Sequence, residues 1–241
     1  MQAFLQQLRP VVESYKPSEE TAEFARCLAP TTISGPSGSG KDTLMRSSGL
    51  AVIKGHTTKP QIEGADDYTY VNSEEERDQL LADIDDGKYV QVAIHPTTGH
   101  FYGISREDCL VDGPAVLDIR PAQVMAYISS GLFGAIRPTY VGVPDFETWQ
   151  HRLRQRGVMA QDEYAARMQE AADSIRCALL HLNQFYFVLN DTVPQASNQL
   201  RDYATEGQRD DPRHHQAALA TRSVLNELVS RQLDQPDTDR H

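Results

Sequence analysis

Cysteine is scarce in this chain. The three residues Cys27, Cys109 and Cys177 lie far apart in 241, their number is odd, and no C-x-x-C pair occurs. That argues against a disulfide framework and a zinc cluster, and reads as buried small apolar side chains in a reducing compartment. Long hydrophobic runs are missing too. No stretch approaches the ~20 consecutive apolar residues of a spanning helix. The opening "MQAFLQQLRPVVESYKP" has neither the basic nor the long apolar region of a signal peptide. A soluble cytoplasmic protein with no membrane partner is expected. Positive charge is in deficit: 23 Lys and Arg face 34 Asp and Glu, a formal net charge of -11. Such a surface repels a nucleic-acid backbone, so no nucleic-acid partner is expected. A small phosphorylated ligand is compatible, because it feels local charge and backbone dipoles.

Hydrophobic residues make up 39% of the chain, enough for one good core or two small ones. Helical spacing marks 4–15, broken by Pro10, and 18–28 with Ser18 as its cap. "TTISG" is a short strand, and "KDTLMRSS" a helix that Gly49 ends. "LAVIKGHTTKP" reads as a second strand and turn. A helix capped by Ser73 and stopped by Gly87 precedes two β segments over 88–105. Further strands lie in 112–120, 133–144 and 185–191, and further helices over 121–131, 146–157, 162–183, 193–204 and 217–233. The region 205–216 is polar, and 234–241 is a loose end. Strands that alternate with helices predict an α/β fold with a largely parallel sheet flanked by helices. The β-rich stretch 55–105 interrupts that alternation as an inserted subdomain.

"ISGPSGSGKD" carries the clearest chemistry. Gly35, four residues, Gly40 and Lys41 fit G-x-x-x-x-G-K between a strand and a helix start. Glycines let backbone N–H groups converge on phosphate oxygens, and the lysine reaches the outer phosphates. The expected ATP-binding residues are Gly35, Pro36, Ser37, Gly38, Ser39, Gly40, Lys41, Asp42 and Thr43. Position eight is Asp42, where a hydroxyl normally binds Mg²⁺. A carboxylate also suits Mg²⁺, so Asp42 reads as a direct or water-bridged ligand, the alternative being simple loss of that ligand. Thr43 follows ~100° further round the helix. Asp118, ending the apolar "AVLDI", reads as the second Mg²⁺ partner of a P-loop fold or as a strand-end cap. Arg152, Arg154 and Arg156, with Arg167 beyond, read either as a solvated face or as fixed cations for a transferring phosphoryl group; after a phosphate loop the second reading gains weight.

These features resemble the guanylate kinase family of P-loop nucleoside monophosphate kinases. The matching segments are "SGPSGSGK", "HTT" (56–58), "DY" (67–68), "YGIS" (102–105), "LDI" (117–119), "RLRQRG" (152–157), Arg167 and "ND" (190–191), in family order. The resemblance implies a P-loop NTPase fold and an organisation of 1–28 as a helical extension, 29–204 as the kinase-like domain and 205–241 as a polar linker, helix and tail. Within the domain, 55–105 would be the acceptor subdomain and 152–167 a helical lid. It implies transfer of the γ-phosphoryl of ATP, with Mg²⁺, to a nucleoside monophosphate. Lys41, Arg152, Arg156 and Arg167 would be catalytic, and Asn190 would lie near the adenine. Thr58, Lys59, Tyr68, Gln91, Tyr102, Ile104, Asp118 and Arg120 align with acceptor positions, Tyr68 and Tyr102 holding the acceptor phosphate through their hydroxyls.

The departures cluster at the acceptor. The family's T-T-R-x-P-R appears as "TTKPQ", with Lys59 and Gln61 replacing arginines. Lysine binds phosphate as a point charge without the bidentate fork. The guanine-reading acid aligns with Gln91, a hydroxyl is replaced by Ile104, and the second acid of L-D-x-D is Arg120. The loop "GPSGSGKD" also resembles that of ribose 1,5-bisphosphate phosphokinases, which share the fold. GMP or another nucleoside monophosphate is the first acceptor expected. A phosphorylated sugar is the alternative, and a guanylate-kinase-like binding module without turnover the third reading. A GTPase is disfavoured by the lack of N-K-x-D. A monomer or homodimer is expected.

Overall fold

The computed structural model describes residues 1–61, 68–96, 98–155 and 161–233. In chain order the elements are α1 (Gln2–Ser14), α2 (Glu19–Arg26), β1 (Thr31–Ser34), α3 (Lys41–Ser47), β2 (Ala51–Val52), β3 (His56–Thr57), β4 (Thr69–Tyr70), α4 (Glu74–Asp85), β5 (Tyr89–Ile94), β6 (Phe101–Ser105), β7 (Ala115–Asp118), α5 (Pro121–Ser130), β8 (Arg137–Gly142), α6 (Phe146–Arg154), α7 (Gln161–Leu180), β9 (Tyr186–Leu189), α8 (Val193–Glu206) and α9 (Pro212–Leu233). The chain divides into two compact units.

The first unit comprises Met1–Pro30, Ala51–Leu117 and Ser130–Ile136. Its four-stranded sheet has the order β4-β3-β6-β5, with β6 antiparallel to both β3 and β5. One face is closed by Leu8, Val71, Leu80, Ile84, Tyr89 and Phe101, with Phe4, Leu5, Val11, Val12 and Tyr15 of the first helix and the residue after it packed against them. The expected break at Pro10 does not occur: α1 runs through it. The proline is on the exposed side of the helix. The carbonyl that loses its bond there is open to water, while the apolar stripe stays continuous against the core. Ser18 caps α2 by accepting from Thr21 N–H. Ser73 and Glu76 form a reciprocal capping box on α4.

"LAVIKGHTTKP" is not one strand. β2 pairs with β7, and β3 with β4 and β6. The break falls at Gly55, where a Cβ would stand 2.6 Å from the Gly103 carbonyl oxygen.

The second unit comprises Thr31–Leu50, Asp118–Ser129 and Arg137–His241. β8 lies between β1 and β9, parallel to both. β1 and β9 are buried along their whole length, as expected of parallel strands covered on both faces. This is the α/β architecture that the alternation predicts.

α9 begins at Pro212, before the apolar pattern that starts at Ala217. Ala217, Thr221, Val224 and Leu228 recur at helical spacing and are all buried. At Gly142 of β8 a Cβ would collide with the Thr221 hydroxyl. Of the free cysteines, Cys109 is buried and Cys177 half-buried. Cys27 is exposed rather than buried, because it caps the end of α2. Among the described residues no helix is long and apolar enough to cross a membrane.

Candidate active site

The loop between β1 and α3 is built by its glycines. Gly35, Gly38 and Gly40 have φ of 153°, 83° and 91°, values that side chains with a Cβ rarely adopt. Space forbids a Cβ as well. At Gly35 it would stand 2.8 Å from Ser39 Oγ and from the Val141 carbonyl, and at Gly40 it would collide with the Asn190 amide nitrogen. Ser39 N–H donates to the Pro36 carbonyl at 3.0 Å and closes the turn.

Three side chains then hold loop carbonyls. Lys41 Nζ donates to Gly35 O at 3.0 Å, Trp149 Nε1 to Ser37 O at 2.8 Å, and Asn190 Nδ2 to Ser39 O at 2.6 Å. In a planar trans peptide the N–H points opposite to the carbonyl before it. The N–H groups of Gly38 and Gly40 are thereby aimed away from Trp149 and Asn190. Ser39 Oγ and Asn190 Oδ1 are buried, and neither has a hydrogen-bond partner among the described residues. Unpaired buried oxygens are costly unless a ligand completes them. A cradle of this kind fits a polyphosphate.

The arginines take different places. Arg167 Nη1 donates to Ser37 Oγ at 3.0 Å, and its Nη2 pairs with Glu163 at 2.7 Å, so it stands beside the loop. Arg152 Nη2 donates to the Asn190 carbonyl at 3.0 Å. Burial pulls its pKa below the usual guanidinium range, against the opposing pull of Asp145 and Asp191. Arg156, expected as a catalytic cation, lies outside the described residues, as do 157–160 of the segment joining Arg152 to Arg167. Asp42 sits half-exposed in the first turn of α3, and the exposed Thr43 follows it. Asp118 ends β7. Its neighbour Ile119 donates through N–H to Ile33 O at 3.1 Å and accepts from Ser34 Oγ, so Asp118 is held beside the end of β1 where the loop begins. Arg120 is exposed, and its carbonyl receives the first N–H groups of α5. No group of three or more potential metal ligands occurs among the described residues.

The remaining expected residues all belong to the first unit. Tyr68 and Tyr102 meet edge to face, with ring centroids 5.5 Å apart, and His95 lies 6.0 Å from Tyr102. Thr58 is buried and accepts from Phe101 N–H at 2.9 Å. Lys59 N–H donates to Thr57 Oγ1 at 3.2 Å. Gln91 and Ile104 are cross-strand partners, 9% and 3% exposed. Asp67 of the "DY" pair lies outside the described residues.

Sequence reasoning missed two features. Trp149 is one; the only signal available was that it is the single tryptophan. The other is a chain of contacts behind β3: His56 bonds to the Tyr89 hydroxyl, lies 3.6 Å from Asp108, and Tyr15 donates to the Tyr89 carbonyl. Burial holds the Tyr89 hydroxyl well above its usual pKa, so it stays protonated.

No protein-family model matches the chain. It is 30% identical over 158 residues to the guanylate kinase of Nostoc sp., a match covering 61% of this chain and 75% of that protein. The chain belongs to the guanylate kinase family. The guanylate kinase of Hahella chejuensis is 29% identical over 184 residues, covering 70% of this chain and 82% of its own. That of Homo sapiens is 26% identical over 195 residues, covering 73% and 92%. A crystal structure of guanylate kinase from Anaplasma phagocytophilum shares the fold with a TM-score of 0.53 at 17% identity, over 78% of this chain and 90% of that one. As a family member the chain is a guanylate kinase-like phosphotransferase with the P-loop NTPase fold.

Proposed function

We propose that this protein transfers the γ-phosphoryl group of ATP to a nucleoside monophosphate, with GMP the first acceptor. The observation that carries the reading is the loop. Three of its carbonyls are held by Lys41, Trp149 and Asn190, and its glycines tolerate no Cβ. Such a loop presents main-chain N–H groups and one ammonium to phosphate oxygens. Lys41 binds the outer phosphates, releasing Gly35 O as it does so. Arg167, tethered to Ser37, faces the charge that develops on the transferring group. Ser39 Oγ gains a partner when phosphate enters. Asn190 Oδ1 is an acceptor suited to an exocyclic amine of the donor base. Asp42 and Asp118 are the oxygen donors that would hold Mg²⁺, which when bound neutralises charge on the β and γ oxygens. Tyr68, Tyr102 and Lys59 would orient the acceptor phosphate. Catalysis of this kind is positioning and electrostatics rather than covalent chemistry.

One observation favours a second reading for the acceptor. Ile104 is buried beside Gln91 at positions where the family resemblance implies guanine contacts, and an isoleucine side chain offers no hydrogen bond to a base. A phosphorylated sugar is then the competing acceptor. The deciding experiment measures ADP release from ATP and Mg²⁺ with GMP, dGMP, AMP, UMP and ribose 1,5-bisphosphate. GMP is expected to give the highest kcat/KM. Turnover confined to the sugar phosphate would replace the acceptor. Silence with every acceptor, in a folded protein, would overturn the kinase reading.

A further inference from the structure

The first turn of α9 is fastened to β9 and the turn after it. Tyr186 Oη donates to Asp211 Oδ2 at 2.6 Å, and Phe187 N–H to His214 Nδ1 at 2.8 Å. Arg213 reaches furthest. Its Nη2 donates to Leu189 O at 3.1 Å and Asp191 Oδ1 at 2.7 Å, and its Nη1 to Asp191 Oδ2 at 3.3 Å and Gln195 Oε1 at 3.0 Å. One guanidinium therefore grips the residues on both sides of Asn190. Asn190 in turn donates to Ser39 O in the phosphate loop. The path from α9 to the loop is two bonded links long.

We propose that Arg213 is a positioning residue for the donor nucleotide: by clamping 189–191 it holds Asn190 against the loop, so that affinity for ATP depends on α9. The proposal rests on the donor reading given above. Two features of the geometry distinguish Arg213 from an arginine that merely packs. Its fork spans a main-chain carbonyl and a carboxylate at once, which fixes the turn in orientation as well as in distance. Asn190 has no slack, because Arg152 holds its carbonyl from the other side while its amide holds Ser39. In support, hydrogen bonding from Arg213 holds the Asp191 carboxyl below the usual carboxylate range.

The test uses Trp149, the single tryptophan, whose indole N–H is bonded to the loop. Mg²⁺–ATP is titrated into the full chain and the fluorescence followed, for wild type, Arg213→Ala, Arg213→Lys and Arg222→Ala, a control on the exposed face of the same helix. Losing charge-assisted bonds of this type should raise the Kd for ATP about tenfold or more in Arg213→Ala. The lysine keeps the charge but not the fork and should fall between. Arg222→Ala should match wild type, and KM for the acceptor should stay constant in all four. Equal ATP affinity in wild type and Arg213→Ala overturns the proposal. If Arg213→Ala does not fold, by circular dichroism, Arg213→Lys decides by the same criterion. A wild type that ignores ATP overturns the donor reading instead. The brace is then judged without nucleotide, by hydrogen exchange at the amides of 35 and 37–43: faster exchange in the Arg213 variant upholds it, and unchanged exchange sinks it.

Discussion

At the scale of single residues, the phosphate loop is the most local feature of the protein. Gly35 and Gly40 were legible because the requirement they meet is intrinsic to the backbone: no other residue tolerates both the left-handed φ and the neighbouring atoms. Lys41→Ala should lower kcat about a hundredfold or more, the typical cost of removing one preorganised partner of transition-state charge. The thermal midpoint should stay near that of wild type, since Lys41 bonds only to Gly35 of its own loop in the described structure. Coupled ADP-release kinetics and a melting curve check both halves; activity within about threefold of wild type would refute the loop's role. Asp42→Ser restores the more usual hydroxyl and should keep or raise kcat at saturating Mg²⁺, because both side chains offer an oxygen to the ion. Complete loss of turnover would mean that the carboxylate has a separate task. Trp149 shows the limit of residue-level reading. Its role depends on α6 bringing an indole to Ser37, a contact between positions 112 apart in sequence, and no local pattern encodes it.

At the scale of elements, capping chemistry was readable and register with the core was not. Ser73 and Glu76 close α4 as their spacing implies. Pro10 misled, because the rule that proline breaks a helix concerns the hydrogen bond it removes, not the burial that a continuous apolar stripe recovers. Leu8, fully buried in that stripe, is where the first helix can be tested. Leu8→Ala should destabilise the protein by about 2–5 kcal/mol, read from denaturant midpoints; a change within about 0.5 kcal/mol would place α1 outside the core it covers.

The start of α9 misled for the opposite reason. Its polar residues Asp211, Arg213 and His214 look like a linker but bond to β9 and the turn beyond it. His214 accepts from Phe187 N–H, which requires an unprotonated Nδ1. Its ring stacks at 4.9 Å on Tyr186, which stacks at 4.1 Å on Tyr203. Burial first, then the charges of His215 and Arg209, hold His214 below the usual imidazole range, with Asp211 opposing. The sign follows. The unfolded chain binds the proton at higher pH than the folded one, so the stabilisation is present above about pH 6.5 and is lost as pH falls toward the folded value. The thermal midpoint should drop between about pH 7.5 and 5.5. It should drop less in His214→Asn, whose Oδ1 can accept the same bond without titrating. Equal drops in the two proteins would remove His214 from the account.

At the scale of the whole molecule, α9 decides how the parallel sheet is covered. α9 packs on β8 and β9 and on α6 and α7, and buries Ala217, Thr221, Val224 and Leu228. A chain ending at Asp210 would expose that apolar face to water. It should lose cooperative unfolding and expose dye-binding surface. A sharp denaturant transition equal to that of the full chain would contradict this packing role. Of the expected acceptor residues, Thr58, Lys59, Tyr68, Gln91, Tyr102 and Ile104 stand in the first unit, whose sheet has strands of only two to six residues, while Asp118 and Arg120 belong to the second.

The amino-acid sequence alone determined what depends on backbone stereochemistry and periodicity: the phosphate loop, the alternation of strands and helices, the caps, and the kinship with guanylate kinases. Those properties reside in neighbours along the chain, where sterics and hydrogen-bond geometry act without tertiary help. Only the folded structure decided which carbonyls Trp149 and Asn190 hold, that α1 continues through Pro10, and that a polar stretch is the clasp of α9. Each of those depends on groups far apart in sequence, and burial there outweighs the local preference.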